Sequence, residues 1–331
     1  MNLKEFLRKV IRVVLPLGLG CILLWHLYQD QDLSEMLKVI KTGVRYDILF
    51  GSLVFGLGAN AIRGYRWGLL IDALGKKVKR VNTVLAVFGN YAINMALPRV
   101  GEIWRCGIIA RYEKVPFSKL LGTLVIDRVM DTLVVGMLTL CVAVFNISFF
   151  RRYLTDHPEF LSGFHHLFTS VWLYVTVATV AICLWLMFAR LGHLSFVMKT
   201  RQQLQNVWEG VRSIWKMKHK PGFIVQTVLI WVGYFLYFYV TFYAFDFTRD
   251  LGPRIGLIAF TMSSIAVAVP IQGGIGVWHF AVISTLTGFG VSGGDASAFA
   301  LVVYTVQSVL CLVLVGIASI FALSVINRKN S

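Results

Sequence analysis

The sequence predicts an all-α polytopic membrane protein, with about six full spans plus two re-entrant or broken helical hairpins in an order that suggests an inverted repeat. Three observations predict this. Of 331 residues, 57% are hydrophobic and only 15% are charged, against about 25% charged in a soluble globular chain. The apolar residues fall in runs of the roughly 20 residues that cross a bilayer at ~1.5 Å rise each. Two further apolar runs are interrupted at their centres by proline and glycine, which a membrane interior tolerates only where backbone is buried in protein or lines a cavity.

Taken in order, the full spans are Val10–Tyr28, Tyr46–Leu70, Leu120–Phe145, Phe168–Arg190, Phe223–Phe245 and Ala296–Ile326. Cys21 follows Leu19 and Gly20 in the manner of a lipoprotein cleavage site. The apolar run continues past it, so the first segment reads as a retained span rather than a leader. The interrupted stretches are Val81–Ala110, broken by Pro98 and Gly101, and Leu257–Phe289, broken by Pro270, Gly273, Gly274 and Gly276. Residues 194–220 read as a cytoplasmic interfacial helix. Leu204, Val207, Trp208, Val211, Ile214 and Trp215 recur at helical spacing among Arg201, Arg212, Lys216, Lys218 and Lys220, a pattern attracted to anionic lipid. A plain amphipathic connector packed on the protein has the same pattern. Residues 1–331 otherwise read as a single integral membrane domain.

The net charge of +16 is spread in short clusters between apolar runs, with no basic stripe or motif of a nucleic-acid binder, so nucleic acid is excluded as a partner. If each interrupted stretch is a hairpin returning to its own side, 21 of the 32 lysines and arginines lie inside and seven outside. The other four, Arg63, Arg66, Arg99 and Arg128, fall within apolar stretches. That bias places both termini on the cytoplasmic side of the cytoplasmic (inner) membrane. Span, hairpin, span then occurs twice in opposite orientation, and the Ala96–Gly101 segment (ALPRVG) is echoed by Ala268–Gly273 (AVPIQG). Paired interrupted segments in opposed halves point to an inverted-repeat transporter with its site near the bilayer midplane. The five cysteines have no metal-ligand spacing and His165–His166 stands without further ligands nearby, so neither a metal nor a cofactor is expected.

The densest polar cluster runs from Asn94 to Arg105. Pro98 and Gly101 free backbone there, and Arg99, Glu102 and Arg105 follow at three-residue steps on one face of a short half-helix. Asp127, Arg128 and Asp131 form a second cluster in the third span. Asp127 lies ~12 Å along the helix from Lys119, near the middle of a ~30 Å hydrocarbon core. Charges so deep need partners, and Arg99 and Arg105 of the adjacent hairpin are the expected ones. A purely structural ion network is the competing reading of the same residues. Arg63 and Arg66 would add a surplus of positive charge suited to an anionic head group, or would snorkel to the interface. At the second break, Gln272, Trp278 and His279 stand beside glycines that let backbone approach closely. A half-helix N-terminus offers N–H groups to anions there, and His279 is a candidate proton relay. Tyr304, Thr305, Gln307 and Ser308 of the last span either line a cavity or join helices.

In the stretch N-M-A-L-P-R-V-G-E-I-W-R (Asn94–Arg105), in D-R-x-x-D (Asp127–Asp131) and in P-x-x-G-G-x-G (Pro270–Gly276), the sequence resembles the flippase-like family related to the transmembrane region of lysylphosphatidylglycerol synthase. The similarity covers most of the chain. It implies an eight-segment membrane fold and lipid translocation. The soluble aminoacyl-transfer domain of the multiple-peptide-resistance proteins is absent, so lysyl transfer is not implied. Members of that family often carry an acidic residue shortly after the last glycine motif, where this chain has Trp278 and His279.

The expected function is therefore movement of an anionic or phosphate-bearing lipid, such as a polyprenyl-type lipid, across the cytoplasmic membrane. Asn94, Arg99, Glu102, Arg105, Asp127, Arg128, Asp131, Gln272 and His279 are the candidate binding or coupling residues, with no catalytic residue assigned. Two alternatives carry the same residues: a membrane-embedded lipid transferase with Glu102 or Asp131 as general base, and a scaffold for envelope proteins.

Overall fold

The computed structural model describes residues 18–29, 31–97, 99–147, 219–269 and 271–328, with isolated positions between 155 and 217. Helices dominate. Among the described residues the β pairing is limited to a bridge between Val44 and Phe245. The helices are α1 (Gly18–Tyr28), α2 (Leu33–Thr42), α3 (Tyr46–Asp72), α4 (Arg80–Ala96), α5 (Val100–Glu113), α6 (Phe117–Phe145), α7 (Lys220–Tyr239, prolonged by a 3-10 turn Val240–Ala244), α8 (Pro253–Ala266), α9 (Val277–Gly288) and α10 (Gly293–Ile326).

Four helices, α3, α6, α7 with its 3-10 turn, and α10, run 27, 29, 25 and 34 residues and are apolar enough to cross a membrane. They coincide with four of the expected spans to within a few residues at each end. For the expected span Val10–Tyr28, the part from Gly18 is described and helical. Phe168–Arg190 lies outside the described residues apart from isolated helical positions, and His165–His166 lies outside them altogether. Of the expected 194–220 helix, Val207, Trp208, Val211 and Trp215 are described and helical, whereas Leu204 and Ile214 lie outside. Glu209 of that segment pairs with Lys119 at the start of α6, 2.6 Å away.

Both interrupted stretches resolve into two short helices. α4 ends where Leu97 turns extended (φ −135°, ψ 108°), and α5 starts after Arg99 has entered the left-handed region at φ 61°. In the second break Gly273, Gly274 and Gly276 take φ of 58°, 77° and 83°, which glycine alone reaches without steric cost. Pro98 and Pro270 themselves lie outside the described residues. The arms are 17 and 14 residues in the first hairpin, 14 and 12 in the second. At ~1.5 Å each, every arm falls short of a ~30 Å hydrocarbon core.

Packing divides into two apolar cores joined by α3. Leu49 at its start belongs to one, with Phe238, Phe242, Phe260, Val282 and Phe299. Trp67, Leu70 and Ile71 near its end belong to the other, with Val87, Ile109, Leu120 and Phe223. Val125, Val129, Leu133, Met137, Leu140 and Val144 of α6 stay exposed, as do Val228 and Val232 of α7. Apolar faces this continuous are at home only in hydrocarbon. The protein is a polytopic membrane protein.

Two features add to the sequence expectations. α2 is capped by Asp32, whose carboxylate accepts from Ser34 N at 2.7 Å. α10 passes into π geometry from Thr305 to Leu312, a form seen inside helices mostly at functional sites. There Gln307 Nε2 donates to Tyr237 O at 2.6 Å and to Ser52 Oγ at 3.1 Å, while Tyr237 OH donates to Gln307 O at 2.9 Å. Gln307 thus joins α10 to α7 and α3.

Further along α10, a Cβ added at Gly316 would lie 2.6 Å from Ala92 Cβ and 2.7 Å from Phe88 O of α4. Gly316→Leu is therefore expected to force α10 off α4, destabilising the protein by about 1–3 kcal/mol. Gly51 of α3 has nothing within 4 Å of its added Cβ, so Gly51→Leu should leave the melting temperature of the detergent-solubilised protein unchanged. Thermal unfolding of the two variants side by side checks both.

Candidate functional site

The site grows from three helices that carry charge at helical spacing. α3 brings Arg63 and Arg66, α5 brings Glu102 and Arg105, and α6 brings Asp127, Arg128 and Asp131. Asp127 and Asp131 are one turn apart and turn the same way. Arg66 Nη2 donates to Asp127 Oδ1 at 2.6 Å and to Asp131 Oδ1 at 2.7 Å, bridging the two carboxylates. Arg105 Nη2 donates to Asp127 Oδ2 at 2.9 Å, and Arg63 pairs with Asp131 through Nη2 and Oδ2. Arg66, Arg105 and Asp127 are fully buried.

Neighbours satisfy much of what remains. Arg63 Nη1 donates to Tyr91 OH and Tyr234 OH, both at 3.0 Å, and Tyr234 OH donates to Asn60 Oδ1 at 2.6 Å. Arg66 Nη1 donates to Thr227 Oγ1 of α7 at 3.2 Å. The Arg105 guanidinium lies 4.7 Å from the centre of the Trp67 ring, an attraction that strengthens when desolvated.

Arg128 lies at the edge. Its Nε is 3.1 Å from Glu102 Oε1 and its Nη1 is 3.9 Å from Asp131 Oδ2. Glu102 and Arg128 border a groove of about 370 Å³, whose remaining lining is Leu124, Val125, Val129, Thr132 and Leu133 of α6. Four guanidiniums face three carboxylates across the network, leaving one positive charge.

Two sequence expectations are corrected here. Arg99 does not reach the aspartates: the left-handed turn sends it the other way, where Nη2 donates to Ala268 O at 3.0 Å. Arg63 and Arg66 do not snorkel, being 6% and 0% exposed. Arg63 lies nine residues before the end of α3 at Asp72, or ~14 Å along the helix, beyond the reach of its own side chain. That depth was a signal available in the sequence.

The tips of the two hairpins meet. Besides Arg99 on Ala268 O, Tyr304 OH of α10 donates to Gly273 O at 2.9 Å and approaches Met95 Sδ at 3.9 Å. Asn94 substitutes for a helix cap across the first break: its Oδ1 accepts from Gly101 N at 2.8 Å, while its Nδ2 donates to Asn90 Oδ1 at 3.3 Å. A Cβ at Gly101 would lie 2.8 Å from Asn94 Oδ1 and 2.9 Å from Asn90 Oδ1, so the glycine is a condition of that cap. At the second break His279 is buried among rings, with centroids 4.6 Å from Tyr304, 5.5 Å from Trp278 and 6.1 Å from Tyr28. Its Nδ1 has no hydrogen-bond partner among the described residues. Gln272 opens the 3-10 turn Gln272–Gly274, and its side chain lies outside the described residues.

Removing one partner of a buried pair leaves the others as uncompensated charge, which costs about 3–5 kcal/mol. Asp127→Ala, stranding Arg66 and Arg105, is expected to lose that much stability. Arg128→Gln, which leaves the single, partly exposed carboxylate of Glu102 without its cation, should lose less, about 1–3 kcal/mol. Chemical unfolding of the two variants in mixed micelles measures the difference.

The family described as the lysylphosphatidylglycerol synthase TM region matches residues 13–316. A relative, the UPF0104 membrane protein MJ1595 of Methanocaldococcus jannaschii, is 29% identical over 126 residues, 37% of this chain and 37% of its own length. No solved structure matches. Because the family match spans nearly the whole chain, this protein belongs to the lysylphosphatidylglycerol synthase transmembrane-region family.

Proposed function

We propose that this protein moves an anionic or phosphate-bearing lipid between the leaflets of the cytoplasmic membrane. The observation that carries the reading is the meeting of two broken hairpins inside the fold, Arg99 on Ala268 O and Tyr304 on Gly273 O. Broken helices facing one another are how transporters place polar groups at membrane depth without exposing backbone to lipid. The shortness of all four arms supports re-entry of each hairpin to its own side. The repeated order, α3 with α4–α5 and α6, then α7 with α8–α9 and α10, supports an inverted repeat, and the 21-to-7 charge bias supports cytoplasmic termini. Trp208 and Trp215, 57% and 67% exposed, support an interfacial role for residues 194–220.

In this reading the candidate residues divide by role. Asp127, Asp131 and Arg105, with Arg63 and Arg66, hold α5 and α3 on α6 as a rigid pin. Arg99, Glu102 and Arg128 remain accessible to a head group. Asn94 shapes the first tip, while Gln272 and His279 belong to the second. Movement then depends on parting the tips.

Arg99→Ala removes the exposed cation that meets a head group at the first tip, without touching the buried ions. In proteoliposomes carrying a fluorescent phosphatidylglycerol, lipid movement read by reduction of outer-leaflet probe is expected to slow at least about tenfold, the scale of one lost charge-assisted hydrogen bond. The melting temperature should not change. A wild-type rate in this variant, or no movement by wild type itself, sinks the reading.

A further inference from the structure

We infer that the groove between α5 and α6 seats the head group of a zwitterionic glycerophospholipid, with its phosphate on Arg128 and its ammonium on Glu102. The inference rests on the lipid-moving reading and narrows its substrate class.

Within the charge network, the Glu102–Arg128 pair differs from the rest in being accessible. Its side chains are 23% and 38% exposed, whereas those of Arg66, Arg105 and Asp127 are at 0%. It is also loosely held. Arg128 Nε has no aligned hydrogen-bond partner among the described residues, and its Nη1 stands 3.9 Å from Asp131, too far for a hydrogen bond. A guanidinium carries five donors in a fixed fork that matches a phosphate edge, and the Arg128 side chain borders a groove of about 370 Å³. That volume falls within the range of small-molecule seats, roughly 300–1,000 Å³.

The groove continues along α6 as an apolar track. Val125, Val129 and Leu133 follow at four-residue steps and are 45%, 46% and 54% exposed, so the track is ~12 Å long and reaches ~7.5 Å beyond Arg128. A polar mouth with an apolar track matches a lipid whose head is held and whose chain lies along the helix.

Local pairing at the groove selects the head group. A zwitterion leaves the network's surplus positive charge unchanged. An anion alone would draw Arg128 from Glu102, and a cation alone would draw Glu102 from Arg128. Either exchange leaves one member of this pair without its counter-ion. A ligand bearing both charges replaces one internal ion pair by two external ones and leaves neither member unpaired. Phosphate next to a primary ammonium, as in a phosphoethanolamine head, has the required pair and supplies the N–H donors that Glu102 accepts.

The test is a titration of the full chain in detergent, read by native mass spectrometry with three probes. These are dioleoylphosphatidylethanolamine, its N-acetyl derivative, which keeps the phosphate and lacks the ammonium, and dioleoylphosphatidylglycerol. Wild type should hold the first about tenfold more tightly than the other two. Glu102→Gln should bring all three to within about twofold of one another. Val129→Trp, which fills the track without touching the ion pair, should weaken all three at an unchanged melting temperature. Equal retention of the three by wild type, a preference that survives Glu102→Gln, or full binding by Val129→Trp overturns the assignment. The two readings fail separately. Lipid movement without an ammonium preference keeps the function and removes this seat; a Glu102-dependent preference without movement keeps the seat and removes the function.

Discussion

The fold depends on one carboxylate held out of water. Asp127 is fully buried and takes charge-assisted hydrogen bonds from two different helices, Arg66 of α3 and Arg105 of α5. In a bilayer, helices gain nothing from burying apolar side chains against each other, because lipid tails are as apolar as leucine. Polar contacts and close packing therefore decide which helices touch. Three helices converge on Asp127 and Asp131 because no arrangement that separates them leaves those charges tolerable. Trp67 serves the same network twice: its ring face lies beneath Arg105 and its Nε1 donates to Thr123 Oγ1 of α6 at 3.1 Å.

Around that pin the architecture alternates rigid and yielding parts. The α3–α5–α6 junction is locked by ions, and Asp72–Arg80 ties the end of α3 to the start of α4. Among the described residues the hairpin tips are tied by hydrogen bonds to backbone carbonyls, from Arg99 to Ala268 O and from Tyr304 of α10 to Gly273 O. Asn94 lends its side chain to a backbone amide that the break would otherwise leave bare, so the first tip keeps its shape without a partner. The π segment of α10 starts at the residue after Tyr304, which puts the least regular stretch of the longest helix directly beside the second tip.

The four spans that appear as long apolar helices were legible because composition alone sets them: 20 or so apolar residues have no soluble alternative. The two breaks were legible because proline and glycine leave a mark that no other residue leaves. The pairing of Asp127 with Arg105 followed from chain proximity and helical spacing. Its pairing with Arg66 did not, since periodicity gives the face of each helix and says nothing about which face of α3 meets α6. Arg99 was misplaced for a local reason: helical extrapolation from Glu102 and Arg105 ignores the left-handed turn at Arg99 itself. The π segment has no breaker residue from Thr305 to Leu312, so nothing in the sequence announces it. The Glu102–Arg128 groove required the register between α5 and α6, which exists only in three dimensions.

The ion network also bears on how the chain enters the membrane. Ribosomal synthesis delivers α3 first, with Arg63 and Arg66 on it, and their carboxylate partners arrive some 60 residues later on α6. Until then each arginine at mid-span would face lipid at a cost of about 2.5–3.5 kcal/mol. α3 thus has a reason to linger beside the insertion machinery while α4 and α5 are made, and to partition into lipid only with α6. The residues that hold the finished protein together also set the order of its assembly, making the first half a single unit of insertion rather than a series of independent spans.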